Sequence, residues 1–212
     1  MSIARGLVGW WRLDGNLTDA SGNGNNGTVG AGSAAYASGV YGQAWDNDET
    51  RFVQTPKPTE PSDAFTIAFW IKGPLPPAPT FIRACVLHAD SNNHAAFVGQ
   101  NTTGVNLIGF GAVKSGTQYL TRSTGAIPAD SWVFIVGTFN GSSTVNLYVD
   151  AVLQTGSFFG SIGAGTASGL FFGRRNDSSA TSFIGQIDNA MIFNRALTPS
   201  EIKTLYALGS PL

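Results

Sequence analysis

The sequence predicts an all-β protein, a two-sheet antiparallel sandwich of jelly-roll type closed by one short C-terminal α-helix. Three observations predict it. Apolar residues alternate with period two through several short segments. Clusters of Gly, Asn and Ser separate these segments, the usual punctuation of short strands. Helix-start signals converge at one place, around Thr198.

Strands are expected first over residues 8–13, 43–46 and 51–54. At 65–72, Phe65, Ile67, Phe69 and Ile71 share one face, with Thr66, Ala68, Trp70 and Lys72 on the other. Further strands are expected over 81–88, 106–113 and 118–122. Residues 132–139 are apolar on both faces, as expected of an inner strand covered on two sides. Asn140-Gly141 follows, a pair suited to a tight hairpin turn. Val145, Leu147 and Val149 alternate with Asn146, Tyr148 and Asp150, and strands at 170–173 and 186–193 complete the set.

The helix follows from Leu197-Thr198-Pro199-Ser200-Glu201-Ile202. Thr198 caps, Pro199 suits the first helical position and Glu201 completes a capping box. Leu197 and Ile202 close a hydrophobic staple. The helix should end before Gly209, with Ile202, Leu205 and Tyr206 toward the core. Residues 73–79 form a stiff proline-rich loop and 156–169 a loop of small residues holding Phe158 and Phe159. With no repeat and no linker, residues 1–212 read as one domain.

Composition narrows the function. Twelve basic and 13 acidic residues give a net charge of −1, which argues against nucleic acid. Charged residues are 12% of the chain, about half of ordinary usage. Gly (27), Ser (19), Thr (19) and Asn (14) take their place. With 42% hydrophobic residues the chain still has the material for a core. The single cysteine, Cys85, excludes a disulfide within the chain and reads as a small buried hydrophobe. No apolar run reaches the length of a signal-peptide core or a membrane span, so no membrane insertion is expected.

Four blocks of sequence resemble the laminin G-like, or concanavalin A-like, superfamily in its bacterial and phage branch. They are residues 6–15 with 19–27, 65–72, 132–139 with 145–153, and 172–174 with 183–202. The resemblance implies two antiparallel sheets, with binding at the concave face or rim loops. It also implies a structural calcium on the convex side. Asp188 matches the late-strand aspartate that holds it; the early-turn and N-terminal positions fall near Asp46 and Asp14. Two departures stand out. Asp150-Ala151 replaces the usual Asp-Gly, and Asn189 replaces the Glu of Ile-Asp-Glu.

Catalysis is not expected. A glycosidase needs two carboxyl groups about 5–10 Å apart. Glu201 is committed to a helix cap, and Asp46 and Asp48 flank a turn. His88, His94 and Asp90 could form a zinc site across a hairpin tip, but read more simply as solvated loop residues. The five tryptophans lie in apolar strand segments and read as core. Tyr119, Phe158 and Phe159 are freer to meet a ligand and are the candidate glycan-binding residues. The expected role is therefore non-catalytic recognition or surface display, with a glycan or cell-surface polysaccharide as ligand. Low charge, abundant small polar residues and the lack of a secretion signal fit a phage virion component among other virion proteins. Display in several copies would supply avidity. The alternatives are a bacterial extracellular lectin-like module and, third, a glycoside hydrolase or lyase.

Overall fold

A computed structural model of the chain describes residues 3–48, 50–56, 64–73, 85–88, 100–102, 105–157, 169–174 and 182–211. In chain order its strands are β1 (Leu7–Trp11), β2 (Thr28–Ala31), β3 (Tyr36–Ser38), β4 (Gln43–Asn47), β5 (Phe52–Thr55) and β6 (Ala64–Lys72). Then come β7 (Cys85–His88), β8 (Gln100–Thr102), β9 (Val105–Leu107), β10 (Gly109–Lys114) and β11 (Thr117–Arg122). Last are β12 (Val133–Asn140), β13 (Val145–Val149), β14 (Val152–Gln154), β15 (Gly169–Phe172), β16 (Gly185–Phe193) and helix α1 (Pro199–Leu208).

One sheet has eight strands, ordered β14-β13-β12-β6-β16-β4-β3, with β1 also paired to β16. A second sheet is ordered β2-β5-β15-β7, and β8-β9 and β10-β11 form two-stranded ribbons. All these pairings are antiparallel, as expected. Alternation builds the core between the layers. Phe65, Ile67, Phe69 and Ile71 of β6 pack there with Trp11, Trp45, Phe110, Ile135 and Phe172, all buried.

The outer face of β6 and β12 is covered differently from expectation. Ala68, Trp70, Phe134 and Val136 do not meet a second sheet. They pack beneath α1, against Ile202 and Leu205, with Trp10, Met191, Phe193 and Leu197. Both central strands are therefore buried on two faces by different partners, a sheet on one side and a helix on the other. Thr66 falls on the outer face and is fully buried. Its hydroxyl donates to Arg195 O (2.7 Å) and accepts from Leu197 N (2.9 Å), so the polar residue pins the approach to the helix.

Helix α1 starts as its sequence requires. The Thr198 side chain accepts from Glu201 N, Glu201 accepts from Thr198 N, and Gly209 ends the helix at φ +65°. Tyr206 departs from expectation: it is 38% exposed, although one side of its ring covers Trp70 and Phe134. The Asn140-Gly141 hairpin is also wider than expected. Asn140 Oδ1 accepts from the amides of Ser142, Ser143 and Thr144, which draws those residues into the loop between β12 and β13. The segment expected as one strand at 106–113 is two, because Ile108 turns its backbone to Ser123. Ile108 N donates to Ser123 Oγ (3.1 Å), and Ile108 O accepts from Ser123 N (2.7 Å).

Two residues connect β13 to β14, and both are left-handed: Asp150 at φ +48° and Ala151 at φ +61°. Asp150 is held there because its carboxylate accepts from Phe134 N (2.9 Å). Ala151 has no such tie, and a Cβ in this region costs about 1 kcal/mol. Ala151→Gly should therefore stabilise the protein by about 0.5–1 kcal/mol in urea unfolding. A loss of stability would show that Ala151 packing outweighs the backbone strain.

Glu201 gives a second prediction. Arg195 grips its carboxylate through both terminal nitrogens (2.7 and 2.9 Å). That fork, against some burial and helped by Thr198, lowers the Glu201 pKa to about 2. The stabilisation is present above the ordinary carboxylate range and is lost as pH falls from about 4.5 to 2. Glu201→Gln should flatten stability against pH in that window. Parallel acid profiles for the two proteins would contradict the assignment.

Candidate functional site on the outer face

Strand β16 has β6 along one edge, and its other edge is shared. Residues 185–187 pair with β4, and Ala190 onward pairs with β1. The handover falls at Asp188 and Asn189, where the register with β6 also shifts. Asn189 makes the bulge at φ +51°, which a short amide side chain tolerates. Its Oδ1 accepts from Trp10 Nε1 (2.6 Å), and its Nδ2 donates to Gly209 O (2.6 Å). One buried side chain thus joins the first strand, the last strand and the end of the helix. The departure from Glu at this position places there a residue suited to that backbone.

Asp188, also fully buried, turns to the loop before β4. Its Oδ2 accepts from Val40 N (2.7 Å) and Tyr41 N (3.1 Å). Its Oδ1 is buried with no hydrogen-bond partner among the described residues. Burial pushes the Asp188 pKa up to about 6, against the backbone amides of Tyr41, Val40 and Asn189 and with the Asp14 charge adding to the rise. Asp14 caps the same loop from outside, accepting from Gln43 N (2.9 Å).

The loop admits no side chain at two points. A β-carbon at Gly39 would lie 2.7 Å from both Asp188 Oδ2 and Gln43 O. One at Gly42, itself at φ +71°, would lie 2.6 Å from Asp14 Oδ1. The loop is thus crowded by carboxylate and carbonyl oxygens of Asp188, Asp14 and Gln43, the hard type of donor that calcium takes. Among the described residues no group of three or more His, Cys, Asp or Glu gathers around a common point. A cation here would draw on backbone carbonyls for most of its ligands.

Asp46 is committed to other partners. Its Oδ1 accepts from Gln186 Nε2 (2.9 Å), and its Oδ2 lies 3.8 Å from Arg51. Asp48 pairs with the same arginine at 2.5 Å and caps the turn to Thr50. Tyr119 is half-buried against the core, its ring 5.7 Å from that of Phe139. Phe158, Phe159, Asp90 and His94 lie outside the described residues, as do residues 74–79 of the proline loop. Cys85 and His88 lie on β7. Of the tryptophans, Trp10, Trp11, Trp45 and Trp70 are buried and Trp132 is half-buried.

Sequence reasoning overlooked Asp19. Its carboxylate accepts from the amides of Trp10, Ser21 and Asn25, each at 2.9 Å. Burial opposes ionisation, but those amides and the Ser21 side chain hold its pKa below the ordinary value. The signal was present in Asp19-Ala-Ser-Gly-Asn, a run of residues that bond their own backbone.

Asp188 makes a pH prediction for metal-free protein. A folded-state pKa above the unfolded one means that protonation favours the fold. The contribution is full below the ordinary aspartate range and is lost as pH rises through about 6. In chelator, wild-type stability should carry this downward slope between about pH 4 and 6, and Asp188→Asn should lack it. Equal slopes in both proteins would contradict the burial assigned to Asp188.

Comparison with known proteins places these features in context. The family model of the concanavalin A-like lectin/glucanases superfamily matches residues 47–203. Among solved structures, domain 4 of AbnA is similar, a GH43 extracellular arabinanase from Geobacillus stearothermophilus in complex with arabinotriose. The TM-score is 0.74 at 24% identity, over 94% of this chain and 98% of that one. The binding domain of Paraclostridial Mosquitocidal Protein 1 gives a TM-score of 0.71 at 19% identity, over 96% of this chain and 52% of that one. The receptor-binding domain of botulinum neurotoxin type G gives 0.69 at 17%, over 97% and 52%. The chain spans about half the length of those two toxin domains. A search of curated proteins finds no match.

Proposed function

The chain belongs to the concanavalin A-like lectin/glucanase superfamily, and we propose that it is a glycan-recognition module without catalysis. The observation that carries this reading is its extent. Nearly the whole chain corresponds to nearly the whole of domain 4 of an arabinanase, a domain solved in complex with arabinotriose. The two toxin relatives are likewise named as binding domains. Chemistry supports the same conclusion. Asp46 and Asp48, two residues apart, both bond Arg51, which suits a structural clamp better than an acid and a base of opposite duty.

Calcium belongs to this proposal. Asp188 through its unpaired Oδ1, and Asp14 beside it, would hold the ion with carbonyls of the 39–43 loop. The ion would supply positive charge that lets Asp188 stay ionised in a buried place. Asp188 and Asp14 then act by tying the last strand to the segment after β1 and to the loop before β4.

The setting we propose is a virion surface, with several copies displayed beside other virion proteins. Low charge and a surplus of small polar residues support it. The extracellular arabinanase favours the second reading, a bacterial extracellular carbohydrate-binding module.

An immobilised oligosaccharide array that includes arabinotriose, read with calcium and with chelator, tests the function. Binding to at least one glycan, without release of shorter products, is the expected result. Wild-type protein that binds no glycan in either condition overturns the reading. Calcium should also raise the melting temperature of wild type, by a gain of about 2.7 kcal/mol at a hundredfold excess over Kd. Asp188→Asn should show no such rise; an equal rise would place the ion elsewhere.

A further inference from the structure

The outer face carries aromatic rings that the core does not need. Tyr41 and Tyr206 are each 38% exposed, and both lean on Trp70. Tyr206 stacks on the indole (centroids 5.6 Å apart, planes at 20°), and Tyr41 meets it edge-on (6.4 Å, 76°). Phe134 lies 5.1 Å from Trp70 and 5.8 Å from Tyr206, so the three rings form one cluster. Trp70 itself is only 8% exposed, yet its Nε1 has no hydrogen-bond partner among the described residues. Trp10, Trp11 and Trp45 each place their indole N–H on an acceptor, at 2.6, 2.8 and 2.8 Å. A buried donor without an acceptor is costly, and a position that keeps one points to an acceptor arriving from outside.

We propose that Tyr41 and Tyr206, set over Trp70, form a sugar-binding platform on the outer face of the eight-stranded sheet. This rests on the glycan-recognition reading and names where the glycan sits. A sugar ring matches both halves of the site. Its C–H face covers a phenol ring, and a hydroxyl or ring oxygen is the acceptor that the indole N–H lacks. Tyr41 lies on a loop whose backbone Asp188 holds, and its ring packs directly on Gly209. A β-carbon at Gly209 would lie 2.1 Å from that ring. Asp188 is therefore a positioning residue for the platform through the Tyr41 amide. The platform does not include Tyr119, the candidate glycan-binding residue described on β11, so the two locations are separable by mutation.

Two variants test it on the same oligosaccharide array. Tyr206→Leu keeps an apolar cover on Trp70 but removes the stacking ring. Trp70→Phe keeps an aromatic ring but removes the N–H, which has no partner to lose in the free protein. Wild type should bind at least one oligosaccharide. Tyr206→Leu should weaken that binding by about tenfold and Trp70→Phe by about three- to tenfold, in protein shown to be folded by its near-ultraviolet dichroism. Wild-type affinity in both variants overturns the platform while leaving glycan recognition intact. No binding by wild type overturns both. A self-associated wild type made monomeric by Tyr206→Leu, with glycan affinity unchanged, also overturns the platform and assigns the face to a second copy of this chain.

Discussion

The last strand of this sandwich must serve two partners along one edge, and the bulge that lets it do so organises everything on the outer face. β4 and β1 come from different parts of the chain and cannot share one straight register with β16. At the handover, Asn189 takes a left-handed backbone and Asp188 turns its carboxylate to the neighbouring loop. Every consequence at the site descends from that step. Trp10 is fixed by Asn189, Tyr41 by Asp188, and the end of α1 by Gly209 on the Asn189 amide. Residues nearly 180 positions apart in sequence thus become one buried polar network. Such a network strengthens the fold where each member is satisfied and is costly where one is not. The Asp188 Oδ1 is the member left without a partner among the described residues, and it is the atom to which the calcium proposal is tied.

The division between the two faces explains why the aromatic residues differ in role. Trp11 and Trp45 sit between the layers, and their indole N–H groups are consumed by Asn25 and Asn47. Trp70 is on the outer face of β6, beneath a helix of ten residues that covers only part of the surface. The rings at the edge of that cover, Tyr41 and Tyr206, are half-way between core and surface. Exposed aromatic faces of this kind serve recognition more readily than packing, since each has an apolar body and a polar end. The Arg51 clamp on Asp46 and Asp48 shows the contrast: charges there are spent on a turn.

Much of this was legible in the sequence. The strict alternation of Phe65, Ile67, Phe69 and Ile71 marked β6, and the capping box at Thr198 marked α1 within a residue at each end. The early short strands were not legible. β2 (Thr28–Ala31) and β3 (Tyr36–Ser38) are built from Gly, Ala, Ser and one or two larger residues, and long-range pairing alone makes them strands. The break at Ile108 was hidden because the side-chain pattern continues across it while the backbone changes partner. The site was half legible. Asp188 and Asp14 could be named from the family resemblance, but Gly39 and Gly42 gain meaning only from the oxygens that crowd them. The exposure of Tyr206 depended on how far the helix stops short of covering Trp70. No periodicity reports that distance.

Amide hydrogen exchange on Asp188→Ala against wild type tests most directly whether the handover at β16 unites these parts. Exchange should rise together at Val40, Tyr41 and Gln43 and along β1. The β12–β13 hairpin, which has no bond to the bulge, should keep its protection. Unchanged protection at Val40 and along β1, or an equal loss over the whole sheet, would contradict the view that this bulge holds the two ends of the chain and the outer face in one unit.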